Sequence, residues 1–217
     1  MELYSYFRSS AAYRLRIALN VKGMSYQQVS VNLLKGEHKL ADYLAINPQG
    51  LVPSLKTDDD EMLSQSPAIL EWIEETFPDT PLLPSSALER ATVRSWCNQI
   101  ACDIHPICNL RVLNYVADEL GGGNEGKLAW LHHWITTGFS ALEQQLVDDH
   151  NQNKRQGNFC FGTQLTLADI YLIPQVFNAL RFNVDMAAFP RIMAIYQYCN
   201  TLPAFIDAQP ANQPDAS

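Results

Sequence analysis

Leu3-Tyr4-Ser5-Tyr6-Phe7-Arg8-Ser9-Ser10-Ala11-Ala12-Tyr13-Arg14-Leu15-Arg16-Ile17-Ala18-Leu19 changes its period partway along, and that change decides the fold. Leu3 to Phe7 is short, aromatic and apolar, as a buried strand should be. From Ala11 the pattern is helical: Leu15, Ala18 and Leu19 share one face, with Arg14 and Arg16 elsewhere. Lys22-Gly23 ends the helix, glycine being a natural stop beyond a helix C-terminus. A strand that enters a helix through Arg8-Ser9-Ser10 opens an α/β unit.

Outward from this stretch, Tyr26 to Val31 alternates as a second strand. A short helical piece near His38 to Ile46 leads to the turn Asn47-Pro48-Gln49-Gly50. Val52-Pro53-Ser54-Leu55 begins a third strand. Glu61-Met62-Leu63 follows the acidic turn Asp58-Asp59-Asp60 as a fourth. Ser66 is then expected to cap a helix with Pro67 at its first position, and Ile69, Leu70, Ile73 and Phe77 line one face. Pro78 to Ser86 holds three prolines and reads as a linker. Beyond it no strand signal survives. Leu88 to Val116, Lys127 to Val147, Thr166 to Leu180 and Ala188 to Cys199 read as helices, with Gly121-Gly122-Gly123 breaking the first from the second. Gln209 to Ser217 reads as a loose tail. The expectation is a β-α-β-α-β-β-α domain with a mixed sheet over residues 1–80, a linker at 81–87, and an all-helical domain over 88–217.

The 217 residues carry a net charge of −8. That charge argues against nucleic acid, because no basic stripe is available to neutralise phosphates. The five cysteines are an odd count with no C-x-x-C pair, as expected of reduced thiols in a cytoplasmic setting. Met1 to Ser5 shows no basic region running into an apolar one, so no secretory signal is expected. No apolar run approaches the roughly 18 residues a membrane helix needs.

Several places could carry chemistry. Ser9-Ser10 fall where backbone N–H groups and the positive end of a helix dipole favour an anion or a thiolate, although from the local pattern alone simple capping is the better reading, serine being a favoured cap residue. Val52-Pro53 enters a strand. A cis bond there would turn the Val52 backbone outward to pair with an extended peptide, but only about 5–6% of X-Pro bonds are cis. Gln65-Ser66 open a second helix N-terminus suited to a carboxylate, although here too simple capping is the better local reading. Thr166-Leu167-Ala168-Asp169 is a capping box with a structural role. Cys102-Asp103-Ile104-His105-Pro106 fits no zinc spacing, and no metal is expected. His132-His133 are neighbours on a helix that face different ways. Arg8, Arg111 and Arg181 are far apart in sequence, yet gathered at one pocket they would hold a dicarboxylate by forked hydrogen bonds.

Together these pieces resemble the cytosolic glutathione transferases, and within them the zeta class, which includes maleylacetoacetate and maleylpyruvate isomerases. The resemblance rests on Tyr4 to Ser10 with Arg14 to Leu19, on Asn47-Pro48 with Val52-Pro53, and on Gln65-Ser66-Pro67-Ala68-Ile69. It rests also on Asp103-Ile104-His105-Pro106 with Asn109-Leu110-Arg111, and on Pro174-Gln175-Val176 with Arg181-Phe182. It spans Met1 to about Pro214.

The resemblance implies a thioredoxin-like half that binds glutathione, a helical half that lines the substrate pocket, and a homodimer. By it, Ser9 donates its hydroxyl to the glutathione sulfur and Ser10 lies beside it. Val52 pairs with the cysteinyl backbone before a cis Pro53. Gln65 and Ser66 hold the γ-glutamyl carboxylate, and His38 lies near the glycyl end. His105 and Asn109 line the pocket, while Arg8, Arg111 and Arg181 meet the substrate carboxylates. The implied reaction is the glutathione-dependent isomerisation of 4-maleylacetoacetate to 4-fumarylacetoacetate in tyrosine and phenylalanine breakdown. Alternatives are the isomerisation of maleylpyruvate in gentisate degradation, general glutathione conjugation, and a non-enzymatic binding protein. One departure stands out: where the family usually has a cysteine after the two serines, this chain has Ala11.

Overall fold

The computed structural model describes residues 1–216. The chain divides into two compact units, one formed by Met1–Pro81 with the residues from Asn200 onward, the other by Leu82–Cys199.

In the first unit, β1 (Glu2–Ser5), α1 (Ser10–Val21), β2 (Gln27–Ser30), α2 (Ala41–Ile46), β3 (Ser54–Lys56), β4 (Met62–Ser64) and α3 (Ser66–Thr76) follow in the expected order. The four strands lie in the order β2-β1-β3-β4. β2 runs parallel to β1, which requires the α1 crossover, whereas β3 and β4 form an antiparallel hairpin. Leu3 stands opposite Leu55, and Leu55 opposite Leu63. Leu3 and Leu55 are fully buried, as are Leu15, Ile17, Ala18 and Leu19 of α1 and Ile69, Leu70 and Ile73 of α3. These side chains form the core of the unit.

Two features of this unit correct the sequence reading. Arg14 and Arg16 were placed off the apolar face of α1, yet both are buried, at 1% and 0% exposure. Arg16 is accommodated because each of its guanidinium nitrogens has an acceptor: Nε donates to the Ala208 carbonyl at 3.0 Å, Nη1 to Ser5 Oγ at 3.1 Å and Nη2 to the Phe7 carbonyl at 3.0 Å. The C-terminal segment, assigned by sequence order to the helical half and its end read as loose, belongs to the first unit. α9 (Pro203–Ala208) packs on α1. Asp215 accepts from the Phe7 N–H at 3.0 Å and from Gln28 Nε2 at 2.9 Å. Short range periodicity cannot reveal these contacts, because their partners lie about 190 to 210 residues away. Ser217 lies outside the described residues.

The second unit is helical: α4 (Ala87–Asn98), α5 (Leu110–Asn114), α6 (Gly123–Asn151), α7 (Leu167–Arg181) and α8 (Pro190–Cys199). The single helix expected over Leu88 to Val116 is instead broken. α4 widens into a π-helical segment at Gln99–Ile104, the chain turns through residues 105–109, and α5 widens again at Tyr115–Glu119. Pro106 supplies the physical reason, since it has no N–H to continue a helix. α7 begins at the expected capping box. Asp169 is fully buried and accepts from the Thr166 N–H at 2.9 Å and the Cys160 N–H at 2.7 Å. Burial pushes its carboxyl pKa up, and those two N–H bonds pull in the opposite direction. Among the described residues no helix is long and apolar enough to cross a membrane.

Candidate functional site

α1 begins where β1 ends, and Ser9 is its N-cap. Ser9 Oγ accepts from the Ala12 N–H at 3.2 Å. The capping role is therefore real, and it uses only one oxygen lone pair. The hydroxyl hydrogen stays available to donate to an anion in front of the helix. Ser10 follows as a buried residue of the first turn. No acidic residue occupies that turn, so nothing from the helix itself offsets the positive end of its dipole.

α3 differs from expectation in an informative way. Its N-cap is Gln65, and Ser66 is already helical. Gln65 makes no side-chain capping bond, so the first-turn N–H groups of α3 keep their hydrogens for another acceptor. Gln65 also holds a φ of 70° with ψ of 111°, a conformation a residue with a Cβ seldom adopts. Ser66 Oγ is occupied from behind, where it accepts from Arg14 Nη1 at 3.2 Å. Arg14 thus places a buried positive charge under the N-terminus of α3. This residue was missed by the sequence reading, although an arginine inside an otherwise apolar helical run was the available signal.

The remaining first-unit residues close into an arc. Val52 precedes Pro53, and the bond between them is cis. The Leu51 carbonyl just before Val52 is held by the Tyr43 hydroxyl at 2.6 Å and by Asn47 Nδ2 at 2.8 Å. Gln65 Nε2 donates to Gln49 Oε1 at 2.7 Å, which joins the α3 terminus to the same loop. Gly50, at a φ of 61°, lies against the segment carrying His38, since a Cβ there would stand 3.0 Å from the His38 carbonyl. His38 sits in a short 3-10 turn at Glu37–Lys39, and its pKa is lowered first by burial and then by the Lys39 charge. Contacts therefore run from His38 through residues 49–52 to Gln65-Ser66, and from there through Arg14 to the helix that Ser9 caps. Arg8 is exposed and lies 4.7 Å from the Phe7 ring centroid.

This arc fits an extended, anionic, peptide-like ligand. It offers two positively polarised helix ends, a backbone segment ahead of β3 for main-chain pairing, and a serine O–H beside the first helix end.

The second unit holds the other sequence-predicted residues. His105 follows the π-helical segment, its N–H donating to the Ile100 carbonyl at 2.8 Å. Asn109 caps α5 by accepting from the Val112 N–H at 3.1 Å. Arg111 is exposed in the first turn of α5. Arg181 ends α7, with its guanidinium 4.4 Å from the Phe182 ring centroid. The interruptions of helix geometry on both sides of this corner are of the kind often found at functional sites. Among the described residues no group of three or more His, Cys, Asp or Glu side chains is placed to hold a metal ion.

Comparison with known proteins locates this arrangement. Residues 1–75 match the family model of the glutathione S-transferase N-terminal domain. The chain is 46% identical to a maleylacetoacetate isomerase of Pseudomonas aeruginosa over 217 residues, which cover 99% of this chain and 98% of that protein. It superposes with a TM-score of 0.96, at 45% identity and full coverage of both chains, on the holo structure of a maleylpyruvate isomerase described as a bacterial zeta-class glutathione S-transferase. It superposes with a TM-score of 0.94, at 38% identity and full coverage of both, on a maleylacetoacetate isomerase from Methylobacterium extorquens AM1 with malonate and glutathione bound.

Proposed function

Because the chain belongs to the zeta-class glutathione transferase and maleylacetoacetate isomerase family, we propose that it isomerises 4-maleylacetoacetate to 4-fumarylacetoacetate with glutathione as cofactor. It acts in the homogentisate route of tyrosine and phenylalanine breakdown, as a cytoplasmic homodimer. One observation carries this reading at the level of the site. α1 is capped by Ser9 and bears Arg14 five residues later, and Arg14 reaches Ser66 at 3.2 Å. A single helix thus ties the proposed thiol end of a glutathione site to its carboxylate end.

Glutathione, when bound, supplies the thiolate that adds to the cis double bond, allows rotation about the resulting single bond, and leaves as the trans isomer forms. A free thiol has a pKa of about 8.5, so a thiolate at neutral pH needs stabilising. Ser9 provides this through its hydroxyl hydrogen, beside the positive end of α1. The open first turn of α3, backed by Arg14, receives the γ-glutamyl carboxylate. Val52 offers its backbone to the cysteinyl residue, and His38 approaches the glycyl end. Arg8, Arg111 and Arg181 hold the substrate carboxylates and steady the negative charge that builds on its keto oxygen. His105 and Asn109 line the helical side. Ala11 leaves no protein thiol next to Ser9 and Ser10, and none is required, because the attacking sulfur belongs to the cofactor.

The test follows freshly prepared maleylacetoacetate by ultraviolet absorbance, with and without glutathione, with maleylpyruvate in parallel. Turnover of maleylacetoacetate only in the presence of glutathione is expected. Ser9→Ala lowers kcat on the order of a hundredfold, the scale of losing one donor to a developing anion. Unchanged kcat in that variant removes Ser9 from the chemistry. Faster turnover of maleylpyruvate selects the second substrate, a reading favoured by the 0.96 TM-score to its isomerase.

A further inference from the structure

α6 makes two side-chain hydrogen bonds from within one turn toward different sides. Trp130 Nε1–H donates to the Ile107 carbonyl at 2.9 Å. His132 Nε2 lies 2.8 Å from the Phe182 carbonyl. A carbonyl only accepts, so His132 carries a hydrogen on Nε2. Residues two apart on a helix face different ways, which is why one reaches the turn at 105–109 and the other reaches the end of α7. Both targets are backbone carbonyls close in sequence to residues proposed to meet the substrate. Ile107 lies between His105 and Asn109, the residue that caps the helix carrying Arg111. Phe182 follows Arg181 and presents its ring to that guanidinium at 4.4 Å. α6 is also tightly seated against the first of these segments. A Cβ at Gly138 would stand 2.4 Å from Ile104 Cδ1, so glycine permits the approach.

We propose that Trp130 and His132 are positioning residues for substrate binding: α6 acts as a strut that fixes the turn leading into the helix of Arg111 on one side and the residue following Arg181 on the other, and so sets the length of dicarboxylate the enzyme accepts. Neither side chain touches the substrate. Each fixes a backbone segment next to an arginine-bearing residue, and so the point from which that arginine's side chain extends. The proposal rests on the assignment of Arg111 and Arg181 to the substrate carboxylates.

Steady-state kinetics with maleylacetoacetate and maleylpyruvate test it. His132→Ala and Trp130→Phe each raise KM for the diacid about tenfold, the scale of one lost orienting hydrogen bond, while KM for glutathione stays unchanged. His132→Gln, whose amide N–H can replace the donor, restores most of the loss. Because the two arms respond separately, the ratio of kcat/KM between the shorter and longer diacid also changes. Adding His132→Ala to Arg181→Ala, or Trp130→Phe to Arg111→Ala, raises KM no further, since the effect passes through the arginine. If Arg111→Ala and Arg181→Ala raise KM while His132→Ala and Trp130→Phe do not, or if the paired effects add, the strut is wrong and the arginine assignment survives. If Arg111→Ala and Arg181→Ala leave KM unchanged, the assignment fails and the strut falls with it.

Discussion

Replacing Arg16 by methionine removes a buried charge and keeps most of the side-chain volume. Burial lowers the Arg16 pKa to about 10, which still leaves the guanidinium charged at neutral pH. Exchange of a buried ion for an apolar residue is often harmless when its partners can be replaced as well. Here they cannot, because two of the three acceptors are the backbone carbonyls of Phe7 and Ala208. Both stay in place without a donor. Three bonds at about 1–1.5 kcal/mol each give a loss of roughly 3–4 kcal/mol. For a chain of this size that lowers Tm by about 10 °C. The loss has a functional side too, since the Phe7 carbonyl lies two residues before Ser9 and Ala208 ends α9. Urea unfolding followed by circular dichroism gives the stability, and glutathione titration by tryptophan fluorescence gives the site. Both should weaken in Arg16→Met. Arg16→Lys should recover only part, because an ammonium does not present the planar fork that reaches three acceptors. If Arg16→Met unfolds within about 1 kcal/mol of the parent protein, the guanidinium is not what holds the C-terminal segment to the first unit.

Thiol labelling of the native protein should modify one cysteine, Cys102, because it is exposed while Cys97, Cys108, Cys160 and Cys199 are buried. Burial also pushes the Cys108 thiol up to about 12 and raises Cys160 and Cys199, so rapid reaction of two or more thiols would contradict that burial. His38 should titrate below 6.5 by NMR in the free protein. A depressed histidine pKa means the folded state resists protonation, so its contribution is full above about 6.5 and is lost as pH falls through the folded value. Added glutathione should raise that midpoint if its glycyl carboxylate approaches the ring, and an unmoved midpoint would take His38 out of the site. Asp169→Ala leaves the Cys160 and Thr166 N–H groups without their acceptor and should cost about 2–4 kcal/mol in urea unfolding. The raised carboxyl of the parent predicts a stability contribution present at acid pH and lost as pH rises through the folded pKa. In Asp169→Ala that pH dependence should disappear.

The first unit was legible because its signals are local. A period change at Ser9-Ser10, a glycine stop after α1 and a Pro-rich linker each depend on residues within one or two turns, as does the capping box of α7 in the second unit. The helix ends were legible for the same reason, and they hold most of the assigned residues. What the sequence hid was long-range. Arg14 and Arg16 look like surface charges until Ser66, 52 residues on, and Ala208, 192 residues on, are seen to accept from them. Ser66 looks like a cap until Gln65 is seen to occupy that place. The break at 105–109 was signalled by Pro106, but a long apolar-periodic run outweighed a single proline.

The hidden features bear on the same chemistry. Ser9 caps α1, and in the proposed mechanism it also donates a hydrogen bond outward, which requires the helix start to be held still. Arg14 and Arg16, both on α1, supply that rigidity. One reaches toward α3, while the other bonds β1 at Ser5, the approach to Ser9 at Phe7, and the C-terminal segment at Ala208. A solvated arginine at either position would leave α1 free to shift against the elements it bridges. A misplacement of about 1 Å can cost on the order of a hundredfold in rate. In the mechanism proposed above, the two buried arginines would act on Ser9 through geometry, by fixing α1 against the elements they bond.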